Sequence, residues 1–539
     1  VRDNVVVTPL QVGAPTPAAP ASAAAAPYGP AVAARFAEPS TQYSTPGLAP
    51  ERRGFTTNSE LGQWLHNIAN AAPRGPTQAS VLQLGASQQG EPILGLLLTR
   101  AKGMDMASLE ANGRSTVVLI GQQHGDEPAG SEALLVVARE LAQGLLEPLL
   151  DRINVVVIPR ANPDGATNGN RTTANGVDMN RDHLLLNTPE ARALARVVRD
   201  YRPILLLDAH AFTVAGRYLQ KFNAIQRYDA LLQYTTTANY HEFLTKASQE
   251  WYHQPMLGAL QSQGMSSEWY YTTSTQPDDK RISMGGVQPD TGRNVNGLKN
   301  AVSLLVETRG VGLGRLHIQR RVHTQVTTIT SALRSTAERA ADLEQVRSYV
   351  ARDTASKACK GQVVIEAQAT PMQRELTMLD PDTGADRTLK VDWNSSLALR
   401  PVKSRPRPCG YWLAAHATAA VERLQMLGVQ VLRIAEPGAL LADTYHETAR
   451  ETTERTDVRG TIAGGSSIIR TQVTPVRSAI DVPAGSFYVP LNQGLAHLAV
   501  AALEPDTQSS YFANRLIDEL GSTARVMTVP SLVFEESDE

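Results

Sequence analysis

Short apolar runs rich in Val, Ile and Leu recur between about residues 52 and 320, each bounded by Gly, Pro or Asn. Two of them, "SVLQLG" and "PILGLLLTR", are joined by "ASQQGE" and predict a hairpin. Four more, "STVVLIG", "NVVVIP", "PILLLDAH" and "VSLLVETRG", have few polar interruptions. Such runs mark strands covered on both faces, as in α/β sheets. Between them, Glu132–Leu145 and Pro189–Tyr201 repeat with the helical period, the second with Thr188 placed to cap it. The pattern predicts an α/β fold: a mixed, largely parallel sheet with helices on both faces.

The amphipathic stretch "TQVTTITSALRSTAERAADLEQVRSYVARD" predicts a long helix that closes this unit. From about residue 356 the texture changes. Segments such as "GQVVIEAQA" and "SIIRTQVTPVRSAIDVPAGSFYVP" alternate as antiparallel strands do, and "HATAAVERLQMLGVQVLRI" reads as a helix, a Gly stop and a strand. The chain therefore divides into an Ala/Pro-rich N-terminal tail over residues 1–51, an α/β domain over 52–355 and a smaller β-rich α+β domain over 356–539.

Composition sharpens this picture. The first fifty residues hold 13 Ala and 9 Pro and show no strand or helix period, which predicts an extended linker. Linkers of this kind often follow an export signal, so the expected location is periplasmic or secreted. A net charge of −2 without a long Lys/Arg run argues against nucleic acid as a partner. No apolar run reaches the length needed to span a bilayer. Cys359 and Cys409 either form one disulfide or stand as two separate thiols, and their spacing excludes a CxxC site.

The candidate chemistry sits where four apolar runs end. "STVVLIG" leads to His124 and Glu127 in "GQQHGDEPAG", "NVVVIP" to "RANPDG", "PILLLDAH" to His210 and "VSLLVETRG" to Glu307. Ligands bind α/β sheets beyond the carboxyl ends of the strands, so these groups are predicted to share one rim. His124, Glu127 and His210 form a His₂Glu set, the ligand type of hydrolytic zinc sites. The segment "NPDGATNGNRTTANGVDMNRDH" concentrates Asn, Asp, Arg and Gly beyond the needs of a connector.

HxxE, NPDG, an Arg, G-x-D-x-N-R, a lone His after a strand and a final Glu occur in that order from Gly121 to Gly310. In this the chain resembles the zinc carboxypeptidase family. The resemblance implies one zinc ion on His124, Glu127 and His210, and Glu307 as the general base acting on a metal-activated water. It implies that Arg171 stabilises the oxyanion, that Asn180 and Arg181 grip the substrate's terminal carboxylate, and that Asp178 orients His124. The implied partner is a peptide with a free C-terminal carboxylate, and the implied reaction is hydrolysis of its last amide bond by a metallocarboxypeptidase. The alternative is a small-molecule N-acyl amino acid amidohydrolase similar to the desuccinylase and aspartoacylase branch, which shares several of these elements.

Two places depart from the pattern. Classical members carry a loop Tyr about twenty residues before the catalytic Glu, where this chain reads "SMGGVQPDTGRN"; Tyr270 and Tyr271 are the nearest upstream. Arg293 in that segment is a candidate anion contact or a surface residue. The C-terminal domain is similar to accessory domains of some large bacterial members, and that likeness names no active residue.

Overall fold

The computed structural model describes residues 26–71 and 75–536. The remainder of the expected tail, residues 1–25, lies outside the described residues. The hairpin read from the sequence is formed by β1 (Gln78–Ala86) and β2 (Pro92–Thr99). The chain continues through β3 (Ser115–Gly121), β4 (Ile153–Ile158), β5 (Leu205–Thr213) and β6 (Ala230–Tyr234). Three short strands follow, β7 (Ser267–Trp269), β8 (Tyr271–Thr273) and β9 (Ile282–Met284), and then the long β10 (Val302–Val311).

Eight of these form one sheet in the order β1-β2-β4-β3-β5-β10-β6-β7. The pairs β4–β3, β3–β5, β5–β10 and β6–β7 are parallel, and the remaining pairs are antiparallel. This is the mixed, largely parallel sheet that the apolar runs predict. Every residue of β3 and β4 is buried, because helices cover both faces. One face packs on the helices Ala129–Gln143 and Ile318–Ser356, through Leu134, Val137 and Leu141 and through Ile329 and Leu333. The other face packs on Pro189–Tyr201, whose start is fixed by Thr188 accepting from the Ala191 amide. The helix Ala129–Gln143 begins three residues before its apolar pattern does. Its first turn carries Ala and Gly, and Gly130 lies against Ala209 of β5, where a Cβ would collide.

Other described segments pack against this body. Tyr28, Val32 and Phe36, from the segment read as a tail, are buried beside Phe212 and Tyr218, and Leu48 joins the main core. Strands Gln362–Leu379 and Asp386–Pro406 form a long hairpin that extends β9 and β8 into a second sheet. A six-stranded sheet completes the C-terminal region. Its Tyr411, Leu413 and Val489 share a core with Leu184, Leu185 and Leu186. Tyr511 donates to the Leu184 carbonyl at 2.9 Å, and Arg423 donates to that of Leu185 at 2.5 Å.

Cys359 and Cys409 are bonded, closing a loop of 50 residues between the end of the long helix and the C-terminal sheet. On the chain-entropy account this restricts the unfolded state by about 4 kcal/mol. The paired Cys359→Ser and Cys409→Ser variant is expected to lose stability of that order in denaturant unfolding. An unchanged unfolding midpoint would show that the bond contributes nothing.

Candidate active site

β3 and β5 lie side by side with Gly121 opposite Ala209, so the turn after β3 reaches the carboxyl end of β5. β10 lies on the other side of β5 and pairs Glu307 with His210. Both strands run on past the site residues, to Thr213 and Val311. The sheet register thus places His124, Glu127, His210 and Glu307 together, although 183 residues separate the first from the last (307 − 124).

Possible ligand atoms of His124, Glu127 and His210 lie within 4.8 Å of one another, and all three residues are buried. The Nδ1 of His124 is 2.7 Å from Glu127 Oε2, and the Nδ1 of His210 is 3.3 Å from Glu127 Oε1. Glu127 also accepts from the Ala211 amide at 2.6 Å. The far ring nitrogen of His124 lies 2.8 Å from Asp178 Oδ1, which fixes the imidazole and leaves its Nδ1 turned to the cluster. Burial works against the charge on Glu127, and His124 and His210 together hold its carboxyl below the usual range. For His210 burial lowers the pKa, but Asp208 and Glu127 raise it to about 10.

Glycine makes the HxxE turn possible. A Cβ on Gly125 would overlap the backbone of Gly165, in the NPDG segment, and the carbonyl of Asn170. The Asn162 side chain accepts from the Gly165 amide at 2.9 Å and donates to the Gln123 carbonyl at 3.1 Å, tying the two motifs together.

Asp178 is the junction between metal-type and cationic groups. Arg171 donates to it through Nε at 3.1 Å and reaches Glu127 at 3.7 Å. Burial raises the Asp178 carboxyl, yet Arg171 and His124 hold it well below the usual range. Asn180 places its amide on Asp178 at 3.0 Å and accepts from the Gly292 amide at 3.0 Å. Arg181 pairs with Asp457 at 2.9 Å. Arg171, Asn180, Arg181, His124, His210 and Glu307 line one cavity. Burial, with Glu127 nearby, pushes the Glu307 carboxyl up to about 8, against the pull of His210, Arg171 and Arg459.

The residues whose place the sequence left open, and one that it did not signal, also line the cavity. Tyr270 and Tyr271 both border the cavity. The Tyr271 hydroxyl is held by Gln226, while the Tyr270 ring stands against Gly285. Arg293 is 3% exposed and so is no surface residue. Arg459 arrives from the C-terminal region, on the hairpin Thr456–Asp457 and Gly460–Thr461. That hairpin is anchored on the catalytic side: Asp178 donates its amide to Ala463, Thr275 donates its own to Arg459, and Arg455 pairs with Asp290 at 3.4 Å. Its pocket residue could not be read from the pattern, because nothing in "TERTDVRGTIAGG" resembles a motif.

A Gly125→Ala variant is expected to separate the HxxE and NPDG turns, because the obstruction is backbone that cannot rotate away. The cost of such overpacking is about 1–3 kcal/mol. Thermal unfolding and bound-metal analysis should both fall, and a variant with unchanged stability and metal content would refute the packing argument.

Residues 62–284 match the family model described as zinc carboxypeptidase. Carboxypeptidase 2 of Trichophyton rubrum is 27% identical over 399 residues, covering 73% of this chain and 72% of that protein. Carboxypeptidase 2 of Trichophyton equinum is 25% identical over 482 residues, covering 88% and 87%. Among solved structures, a metallo-carboxypeptidase from Burkholderia cenocepacia aligns over 52% of this chain and 68% of its own, at 16% identity and a TM-score of 0.37. Residues 62–284 thus form a zinc carboxypeptidase domain, and the relatives that match over most of the chain are carboxypeptidases.

Proposed function

We propose that the protein hydrolyses the C-terminal amide bond of peptides with one zinc ion and Glu307 as general base. The observation that carries this reading is the convergence of a buried His₂Glu set and Glu307 on one arginine-lined cavity. The donor set fits the ion: two imidazole nitrogens face one carboxylate, and the imidazole of His124 is braced from behind by Asp178. Zinc bound there supplies a Lewis acid that polarises a carbonyl and makes water a better nucleophile.

The chain's own groups do the rest. Glu307 Oε takes the proton of the attacking water and passes it to the nitrogen that leaves; the charged form this needs is disfavoured by burial and would be favoured by a zinc ion bound beside it. Arg171 places a fixed positive charge where the carbonyl oxygen becomes negative. Asn180 and Arg181 grip the terminal carboxylate, the guanidinium being suited to two-point contact. Asp457 holds Arg181 by one edge and keeps it directed at the cavity. Asp178 serves both halves, orienting His124 and steadying Arg171.

An exported location, periplasmic or secreted, is part of the same proposal. It is supported by the Cys359–Cys409 bond, since structural disulfides persist in oxidising compartments. No described helix is long and apolar enough to cross a membrane.

The Glu307→Gln variant is expected to keep its zinc and lose about 10²–10⁴-fold in kcat. Metal analysis and peptide hydrolysis on the same preparation check this, and near-normal turnover would remove Glu307 from the role. N-acyl amino acids run in parallel distinguish peptide hydrolysis from the amidohydrolase alternative.

A further inference from the structure

Five arginines line the cavity: Arg171, Arg181, Arg217, Arg293 and Arg459. Two of them have carboxylate partners, Arg171 on Asp178 and Arg181 on Asp457. The other three meet no carboxylate at ion-pair distance among the described residues. Arg293 is the most telling. Its guanidinium is buried and donates only to neutral acceptors: the carbonyls of Tyr234 and Gly286, the Thr236 hydroxyl and the Asn294 amide oxygen. A buried cation held by neutral dipoles alone lacks its counter-charge, and an arriving anion gains what the folded chain leaves unmatched.

The wall beside Arg293 is built to let such a group approach. Gly285 and Gly286 border the cavity there. A Cβ on Gly285 would come within 2.9 Å of an Arg293 terminal nitrogen and 3.1 Å of the Tyr270 ring. Bare backbone therefore keeps the guanidinium reachable from the cavity. Arg217 donates to the Thr273 carbonyl, and Arg459 lies close enough to act on it by charge repulsion. Neither meets a carboxylate at ion-pair distance, so both add positive potential beside Asp126, Asp208 and Glu307, the acids that also line the cavity.

The geometry points to a second anion site in this cavity, centred on Arg293 and reinforced by Arg217 and Arg459, that selects peptides ending in glutamate or aspartate. The inference rests on the carboxypeptidase reading, in which Asn180 and Arg181 take the terminal carboxylate. The side-chain carboxylate is then the separate charge that Arg293 meets. Arg459 makes the C-terminal region a contributor to specificity, since its hairpin carries a cation to a site otherwise built by residues 124–311.

The test compares kcat/KM for blocked dipeptides identical except for a last residue of Glu, Gln, Leu or Lys. Glu and Gln differ in charge but hardly in shape, so a Glu/Gln ratio of at least about tenfold is expected, with Lys poorest. In Arg293→Gln that ratio should collapse toward one, and in Arg459→Glu it should fall while the Lys peptide gains relative to Glu. The wild-type ratio stands even if Arg293→Gln fails to fold. A wild-type preference for Leu or Lys over Glu, or a Glu/Gln ratio near one, overturns the acidic specificity while leaving the carboxypeptidase reading in place. Release from none of the peptides by zinc-loaded protein overturns that reading and the specificity with it.

Discussion

The buried charge of Glu127 is the constraint around which the catalytic rim is organised. A carboxylate that is 2% exposed needs partners from every side, and no single element can supply them. His124 comes from its own turn, His210 and the Ala211 amide from β5, and Arg171 from the segment after NPDG. Each partner is in turn held: His124 and Arg171 by Asp178, and the NPDG turn by the contact of Gly125 with Gly165. A charged cluster of this kind specifies one arrangement, because displacing any member leaves another buried and unmatched.

The same logic extends into the C-terminal region. Arg181 would lie as a lone guanidinium beside Arg171 without Asp457, and Asp290 without Arg455 would be a buried acid; as it is, burial raises Asp290 to about 6 despite Arg181 and Arg455. The six-stranded sheet shares its apolar core with Leu184, Leu185 and Leu186, directly after the Asn180–Arg181 pair. Hydrophobic burial thus seats the region, and three charged residues on its hairpin, Arg455, Asp457 and Arg459, finish the electrostatics of the rim. The region belongs to the site as well as to the scaffold.

Much of the sheet was legible because fully covered strands must be apolar at nearly every position. β3, β4, β5 and β10 follow from that rule, β1 and β2 from the hairpin pattern, and Pro189–Tyr201 from its period and its Thr188 cap. The short strands β6 to β9 escaped it. β6, "ALLQY", is too brief to separate from a helical turn, and β7 to β9 have three residues each. The segment around residues 28–48 misled for another reason: Ala and Pro give no period, yet Tyr28, Val32, Phe36 and Leu48 are enough to dock it.

For the site, the sequence determined the chemistry of the local turns. HxxE with its intervening Gly, NPDG and the Asn180–Arg181 pair are short motifs whose residue types are dictated by close backbone contacts and by the ligands they can offer. Tertiary structure decided what those turns face. Only the parallel register sets Glu307 against His210, and only folding turns Arg293 inward with neutral acceptors around it. Arg459 reaches the cavity only because the C-terminal hairpin packs there. Local patterns follow from interactions a few residues apart, whereas the potential inside a cavity sums charges from distant segments, which no window of sequence contains.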